Sequence, residues 1–213
     1  KIKLSQTYLN NIYNGIDTQK FSAPKNTALR ETLGLSEKTL LIGALGNIRP
    51  AKDYMVAVKA LDLMVERGID VHLAIAGQGT GPLKDEIDEY CRSKKLQNRV
   101  HLLGFVSDAP AFLAGIDIFM LSSKSEGHPL AITQAMAMGL PIVATICGVE
   151  EILTHNQNAC LVEKENPRAL ADAMLEMAND DARTERLARH AKKTAVDNYD
   201  LGVMKQKYLA LYR

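Results

Sequence analysis

The sequence predicts an α/β fold: a doubly wound parallel sheet of about six strands with helices on both faces. Three observations carry this. Short, mainly apolar runs recur, at residues 40–46, 71–76 and 116–121 among others, as expected for strands buried on both faces. Amphipathic segments of helical period separate them, with Val58, Leu61 and Val65 on one face of the first. Strand and helix alternate at short spacing, which requires crossover connections and hence parallel pairing.

Size and composition agree with one domain carrying appendages. The chain has 213 residues, 46% of them apolar and 24% charged, enough to bury a sizeable core. We divide it into a lead-in segment over 1–38, an α/β domain over 39–198, and a terminal helix over 199–213. The net charge of +1 argues against a general nucleic-acid binder, which carries a basic excess. Cys91, Cys147 and Cys160 have neither disulfide-framework nor metal-site spacing. They read as reduced structural thiols in a cytoplasmic protein. No apolar run approaches a membrane span. The start reads neither as a signal peptide nor as an initiating Met, so we expect a cut inside a longer protein.

The elements follow in order. Asn14-Gly15-Ile16-Asp17 reads as a turn, with Ile16 and Phe21 tucked against the body. A short helix is expected over 27–35, stopped by Gly34. After the strand at 40–46 come a helix at 53–67 stopped by Gly68, a strand at 71–76, and a charged helix at 82–95. A strand at 100–103 precedes a short helix at 108–114, capped by Ser107 or Asp108. A strand at 116–121, a helix begun by Pro129 at its first position, and a strand at 141–144 follow. A helical turn at 149–153 leads to a strand at 159–162. Asn166-Pro167 is a cap followed by a proline at the first helical position, opening a helix to 178. Helices at 181–198 and 201–212 close the chain.

Ligands of such sheets bind at the carboxyl ends of the strands, where strand order reverses. The candidate loops are therefore 46–53, 77–81, 104–107 and 122–130. In the first, Gly46 allows close backbone approach, and Arg49 and Lys52 stand just before a helix start, where fixed cations favour a diphosphate. The alternative is a solvated loop with two surface charges. No complete Gly-rich dinucleotide fingerprint occurs; Gly77-Gln78-Gly79-Thr80-Gly81 lacks its last position. In the last loop, Glu126 offers a carboxylate suited to paired sugar hydroxyls. The N–H groups of Gly127, His128, Leu130 and Ala131 can face an anion at the helix start. Gln134, one turn into the helix, reaches toward a second pair of hydroxyls. The competing reading makes Glu126 a helix-dipole partner and Gln134 a surface residue. His128 reads as a bystander rather than a proton shuttle, and Met136 and Met138 as packing. No nucleophile–base set and no metal-ligand spacing stands out, so no metal cofactor is expected.

The segment Asp117-Ile118-Phe119-Met120-Leu121-Ser122-Ser123-Lys124-Ser125-Glu126-Gly127-His128-Pro129-Leu130, continued by Gln134-Ala135-Met136-Ala137-Met138-Gly139-Leu140-Pro141-Ile142-Val143-Ala144, resembles the Glu-(seven residues)-Glu segment of the retaining GT-B glycosyltransferases, glycosyl transferases group 1 type. The likeness runs through most of the chain, including Val100-His101-Leu102-Leu103-Gly104-Phe105-Val106 and Ala159-Cys160-Leu161-Val162. It implies a Rossmann-like domain forming the C-terminal, donor-binding half of a GT-B fold. The substrate implied is a nucleoside diphosphate sugar. The partner implied is an N-terminal acceptor-binding domain of the same protein, the part through which any peripheral membrane contact would run.

By the same resemblance, Glu126 is the catalytic-site carboxylate holding sugar hydroxyls. Gly46, Asn47, Arg49, Lys52, Gly127, His128, Pro129 and Leu130 surround sugar and phosphate. Gln134, Phe105 and Val106 contact ribose and base. The sequence departs from the family pattern at three places. Gln134 stands for the second Glu, Asn47 for the first phosphate-binding Arg, and Cys147-Gly148-Val149-Glu150-Glu151 for a Gly-Gly loop that keeps an acid at Glu151. Two alternatives stay open: a nucleotide-sugar epimerase of the same architecture, and a non-catalytic scaffold with a drifted pocket. The resemblance also implies that the terminal helix crosses to the partner domain, leaving Met204, Tyr208 and Tyr212 exposed here.

Overall fold

A computed structural model of the chain describes residues 11–212. The start of the lead-in segment, 1–10, and Arg213 lie outside the described residues. Six strands form one parallel sheet: β1 (Leu40–Leu45), β2 (Val71–Ala76), β3 (Val100–Gly104), β4 (Ile118–Leu121), β5 (Ile142–Thr145) and β6 (Cys160–Val162). Their order is β3-β2-β1-β4-β5-β6, and every pairing is parallel. Strand order reverses between β1 and β4, which pair through Ile42 with Ile118 and Gly43 with Phe119. That reversal is where an α/β sheet opens a crevice.

Eight helices complete the described residues: α1 (Ala28–Thr32), α2 (Tyr54–Glu66), α3 (Pro82–Lys94), α4 (Ala109–Ala114), α5 (Leu130–Met138), α6 (Pro167–Asn179), α7 (Asp181–Tyr199) and α8 (Leu201–Ala210). Alternate side chains of the strands point to opposite faces, so two cores form. Ile42, Leu73, Ile75 and Met120 pack with Leu61 and Met64 of α2, Ile87 of α3 and Leu170 and Met174 of α6. Leu41, Ala74, Phe119 and Leu121 pack with Phe112 of α4, Ile132 and Met136 of α5 and Ala191 and Ala195 of α7. The predicted doubly wound sheet is therefore the one observed.

Several element ends move inward from the sequence reading. The β4 strand begins at Ile118 because Asp117 is drawn into polar contacts: its carboxylate pairs with buried Arg30 and with Lys25, and accepts a 2.8 Å hydrogen bond from the Leu41 N–H. Pro129 is the cap of α5, with ψ of 113°, and not its first helical residue. The turn in the lead-in begins at Asp17, whose carboxylate accepts from the Gln19 and Lys20 N–H groups. Ile16 bridges to Asp200 instead, and Ile16 and Phe21 are buried as expected. Of Ser107 and Asp108, the cap of α4 is Asp108, accepting from Ala111 N at 2.9 Å. The cap for α6 is Asn166, accepting from Ala169 N at 3.0 Å. Tyr208 of α8 and Tyr212, just beyond it, are exposed. Met204 is not: its sulfur accepts from Gly15 N at 3.1 Å and the side chain is half-buried.

Candidate functional site

The loops after β1 and β4 meet across the strand reversal. After β1 the chain passes Gly46, whose carbonyl accepts a 2.8 Å hydrogen bond from the Tyr54 hydroxyl, then makes a short 3-10 turn, Pro50–Lys52, before α2. After β4 it runs through Ser122 to Pro129 into α5. Lys124 N donates to Ala51 O at 2.8 Å, so the two loops are joined along the main chain. Between them the Lys52 ammonium lies 2.7 Å from Glu126 Oε1, with both side chains mostly enclosed. The structure thus brings together the cation and the carboxylate singled out on opposite sides of the site.

Glu126 is held on three sides. Lys52 and the Ser123 hydroxyl, at 2.6 Å, both donate to Oε1. Its own N–H donates to Cys147 O at 2.7 Å. Gly148, at φ +107°, passes so close that a side-chain carbon there would lie 2.2 Å from Glu126 O. Only glycine fits that crossing. Burial, then the charge of Glu126, pushes the Tyr54 phenol well above its ordinary pKa, so it stays a donor. Burial likewise raises the Cys147 thiol, which keeps it protonated and unreactive.

The first turn of α5 adds donors. Among the described residues, the N–H groups of Gly127, His128, Leu130 and Ala131 have no hydrogen-bond acceptor in the protein. Gly127 and Leu130 are exposed and Pro129 is buried. The His128 ring points elsewhere: it stacks on Tyr13, with centroids 5.1 Å apart, and meets Tyr199 edge-on at 5.2 Å. Among the described residues, neither ring nitrogen has a hydrogen-bond partner. Burial lowers its pKa, with the Asn14 main chain and the Glu151 charge opposing. His128 therefore belongs to this site through its backbone, and its ring is packing.

On the other side, the loops after β1, β2 and β3 line an open cleft of about 600 Å³, with Asn47, Arg49, Gln78, Thr80 and Phe105 among its walls. Gly77 lets these loops close up: a side-chain carbon there would lie 1.9 Å from Gly46 O. The Asn47 side chain is committed to this join, accepting from Gln78 N at 2.9 Å. Arg49 is exposed on the cleft wall and Phe105 is 73% exposed at its rim. Val106 packs into the core beside α4. Gln134 sits half-buried one turn into α5. A second cavity, about 440 Å³, opens at the opposite ends of β4 and β5, beside Lys25 and Asp117, away from these groups.

Sequence reasoning missed Ser122, Ser123, Tyr54 and Lys124. Lys124 reaches both Asp53, at 3.3 Å, and Glu165, at 3.0 Å, and these contacts raise its pKa. The signal available for the serines was two hydroxyls at the buried end of an apolar strand.

The chain is similar to glycosyltransferases over most of its length. The chain is 27% identical over 198 residues to a lipopolysaccharide core biosynthesis mannosyltransferase, LpsB, of Rhizobium meliloti, covering 87% of this chain and 56% of that protein. It is 27% identical over 205 residues to an α-1,3-galactosyltransferase of Escherichia coli that acts with a UDP-Gal donor on α-D-GlcNAc-diphosphoundecaprenol, covering 94% and 53%. It thus spans about half the length of these relatives. Among solved structures, HepE of Anabaena in complex with UDP superposes with a TM-score of 0.85 at 25% identity, over 94% of this chain and 56% of that one. The C-terminal domain of LpcC from Francisella tularensis superposes with a TM-score of 0.77 at 24% identity, over 88% and 100%. Among the described residues no helix is long and apolar enough to cross a membrane. With the sheet order, the paired loops at its reversal and a match of the family Glycosyl transferases group 1 to residues 39–180, the chain belongs to that family and has the Rossmann-like fold of one half of a GT-B glycosyltransferase.

Proposed function

We propose that this chain is the donor-binding half of a cytoplasmic glycosyltransferase that moves a sugar from a nucleoside diphosphate sugar to an acceptor, with retention at the anomeric carbon, in polysaccharide or glycoconjugate biosynthesis. The observation that carries this reading is the meeting of Lys52 and Glu126 at the strand reversal, beside a helix start with unpartnered N–H groups. Transfer builds negative charge on the departing diphosphate. Lys52, Arg49 and the first N–H groups of α5 offset that charge, fixed in place before the reaction begins. Glu126 holds sugar hydroxyls, Gln134 the ribose, and the main chain at Phe105 and Val106 the base. No step in this reading calls for a metal. The acceptor is held by an N-terminal domain, and the chain by itself binds donor without transferring sugar. The 1–38 and 199–213 segments are its connections to that domain.

Calorimetric titration of the chain with UDP, GDP and ADP, each alone and as its hexose ester, tests the reading. Binding of one pair, weakened at least tenfold by Lys52→Ala, is the expected result. No heat with any of the six ligands overturns it, and sugar transfer by the chain alone overturns its dependence on a second domain.

A further inference from the structure

Two successive serines follow β4, and each holds one half of the site. Ser122 and Ser123 are fully enclosed, 1% and 0% exposed, and an enclosed hydroxyl is costly unless it is bonded. Successive residues of an extended chain point to opposite sides, and these two divide accordingly. The Ser122 hydroxyl donates to Lys52 O at 2.8 Å, fixing the end of the 3-10 turn that carries the ammonium. The Ser123 hydroxyl donates to Glu126 Oε1 at 2.6 Å. Ser123 is itself anchored, its carbonyl accepting from the buried Thr145 hydroxyl of β5 at 2.6 Å. Among the described residues Glu126 Oε2 has no hydrogen-bond partner, so Oε1 is satisfied by the protein while the second oxygen remains available to hydroxyl donors.

We infer that Ser122 and Ser123 are positioning residues: Ser123 sets the Glu126 carboxylate for the donor sugar, and Ser122 sets the Lys52 segment for the phosphates. This rests on the donor-site reading above. It assigns the two serines different ligand halves, although they are neighbours in the chain. A purely structural role would affect both halves alike.

The test uses the chain with whichever nucleoside diphosphate and hexose ester binds best among the UDP, GDP and ADP pairs. The readout is the ratio of the two dissociation constants, which measures what the sugar adds. Ser123→Ala is expected to cut that ratio roughly tenfold, the loss of one hydrogen bond to a charged group, with diphosphate affinity kept. In a Glu126→Ala background the same change is expected to do nothing further. Ser122→Ala is expected to weaken both ligands equally, and to do nothing further in Lys52→Ala. Ser123→Cys keeps the volume without the strong donor and separates lost hydrogen bonding from a packing defect, with thermal melting as the fold control. An unchanged ratio in Ser123→Cys, or an equal loss in the Glu126→Ala background, overturns the inference while leaving the donor site standing. A ratio that Glu126→Ala itself leaves unmoved, or no binding at all, fails the donor reading first.

Discussion

Lys52 and Glu126 lie 74 residues apart in the chain and 2.7 Å apart in space. Each is the other's counter-ion across the reversal of strand order. A diphosphate that engages Lys52 must compete with the Glu126 carboxylate for it. Glu126→Ala should therefore leave affinity for a free nucleoside diphosphate unchanged or raise it up to roughly tenfold, the worth of one charge-assisted hydrogen bond. Titration calorimetry reads this directly, and a strong loss of diphosphate affinity would show that Glu126 contacts the phosphates.

Gln134→Glu probes the ribose side. Hydrogen bonds to an ionised acceptor are about twice as strong as neutral ones. If Gln134 meets ribose hydroxyls, the variant should tighten nucleoside diphosphate binding by roughly threefold to tenfold. Binding no tighter than that of the parent chain removes Gln134 from the site.

Gly148→Ala should damage stability and donor binding together. The added carbon would fall 2.2 Å from Glu126 O, at a φ of +107°, a conformation costing about 1–3 kcal/mol for a non-glycine residue. Relief requires the Glu126 segment to move. Lower thermal melting with weaker binding of the hexose ester is expected; unchanged binding would mean that the segment yields without disturbing the carboxylate.

Arg30 tests the opposite end of the sheet. It is 4% exposed, pairs with Asp117, and donates to Ser36 O at 3.0 Å and Thr39 O at 2.7 Å. Arg30→Ala leaves Asp117 and two carbonyls without that donor, a loss of about 3–5 kcal/mol for a broken buried pair. Denaturant unfolding should report it, with donor affinity unchanged wherever the variant is folded.

Acid should weaken the fold through a histidine pair on β2 and β3. His72 Nδ1 and His101 Nε2 lie 2.8 Å apart and the rings stack. Burial lowers both pKa values, with Arg99 acting the same way on His72 and Asp70 opposing. Groups with depressed folded pKa values are neutral in the fold and protonate more readily when unfolded. Stability is then full above the ordinary histidine pKa of about 6.5 and is lost as pH falls through the lower folded values. Melting temperature should drop between roughly pH 7 and pH 5, and His101→Gln should flatten that slope. An unchanged slope would assign it to other groups, His128 first.

What the sequence determined by itself was local. The run Val71–Ala76 is a strand to the residue, and Asn166-Pro167 opens a helix, because burial on both faces and a capped first turn are written in neighbouring residues. The loops at strand ends, with Lys52, Arg49 and Glu126 on them, were legible for the same reason. Only the tertiary structure decided what those residues meet. Asn47 braces Gln78, the His128 ring stacks on Tyr13, Met204 accepts from Gly15, and Ser123 fixes the carboxylate. Such contacts join residues 31 to 189 positions apart in three of these cases, and periodicity carries no information over that distance. Even Ser123, three residues from Glu126, gave no local sign of its partner, because the close approach depends on β4 ending beside β1 and on Gly148 crossing behind the loop. The chemistry of each group belongs to the sequence; the pairing of Lys52 with Glu126 belongs to the order of the strands.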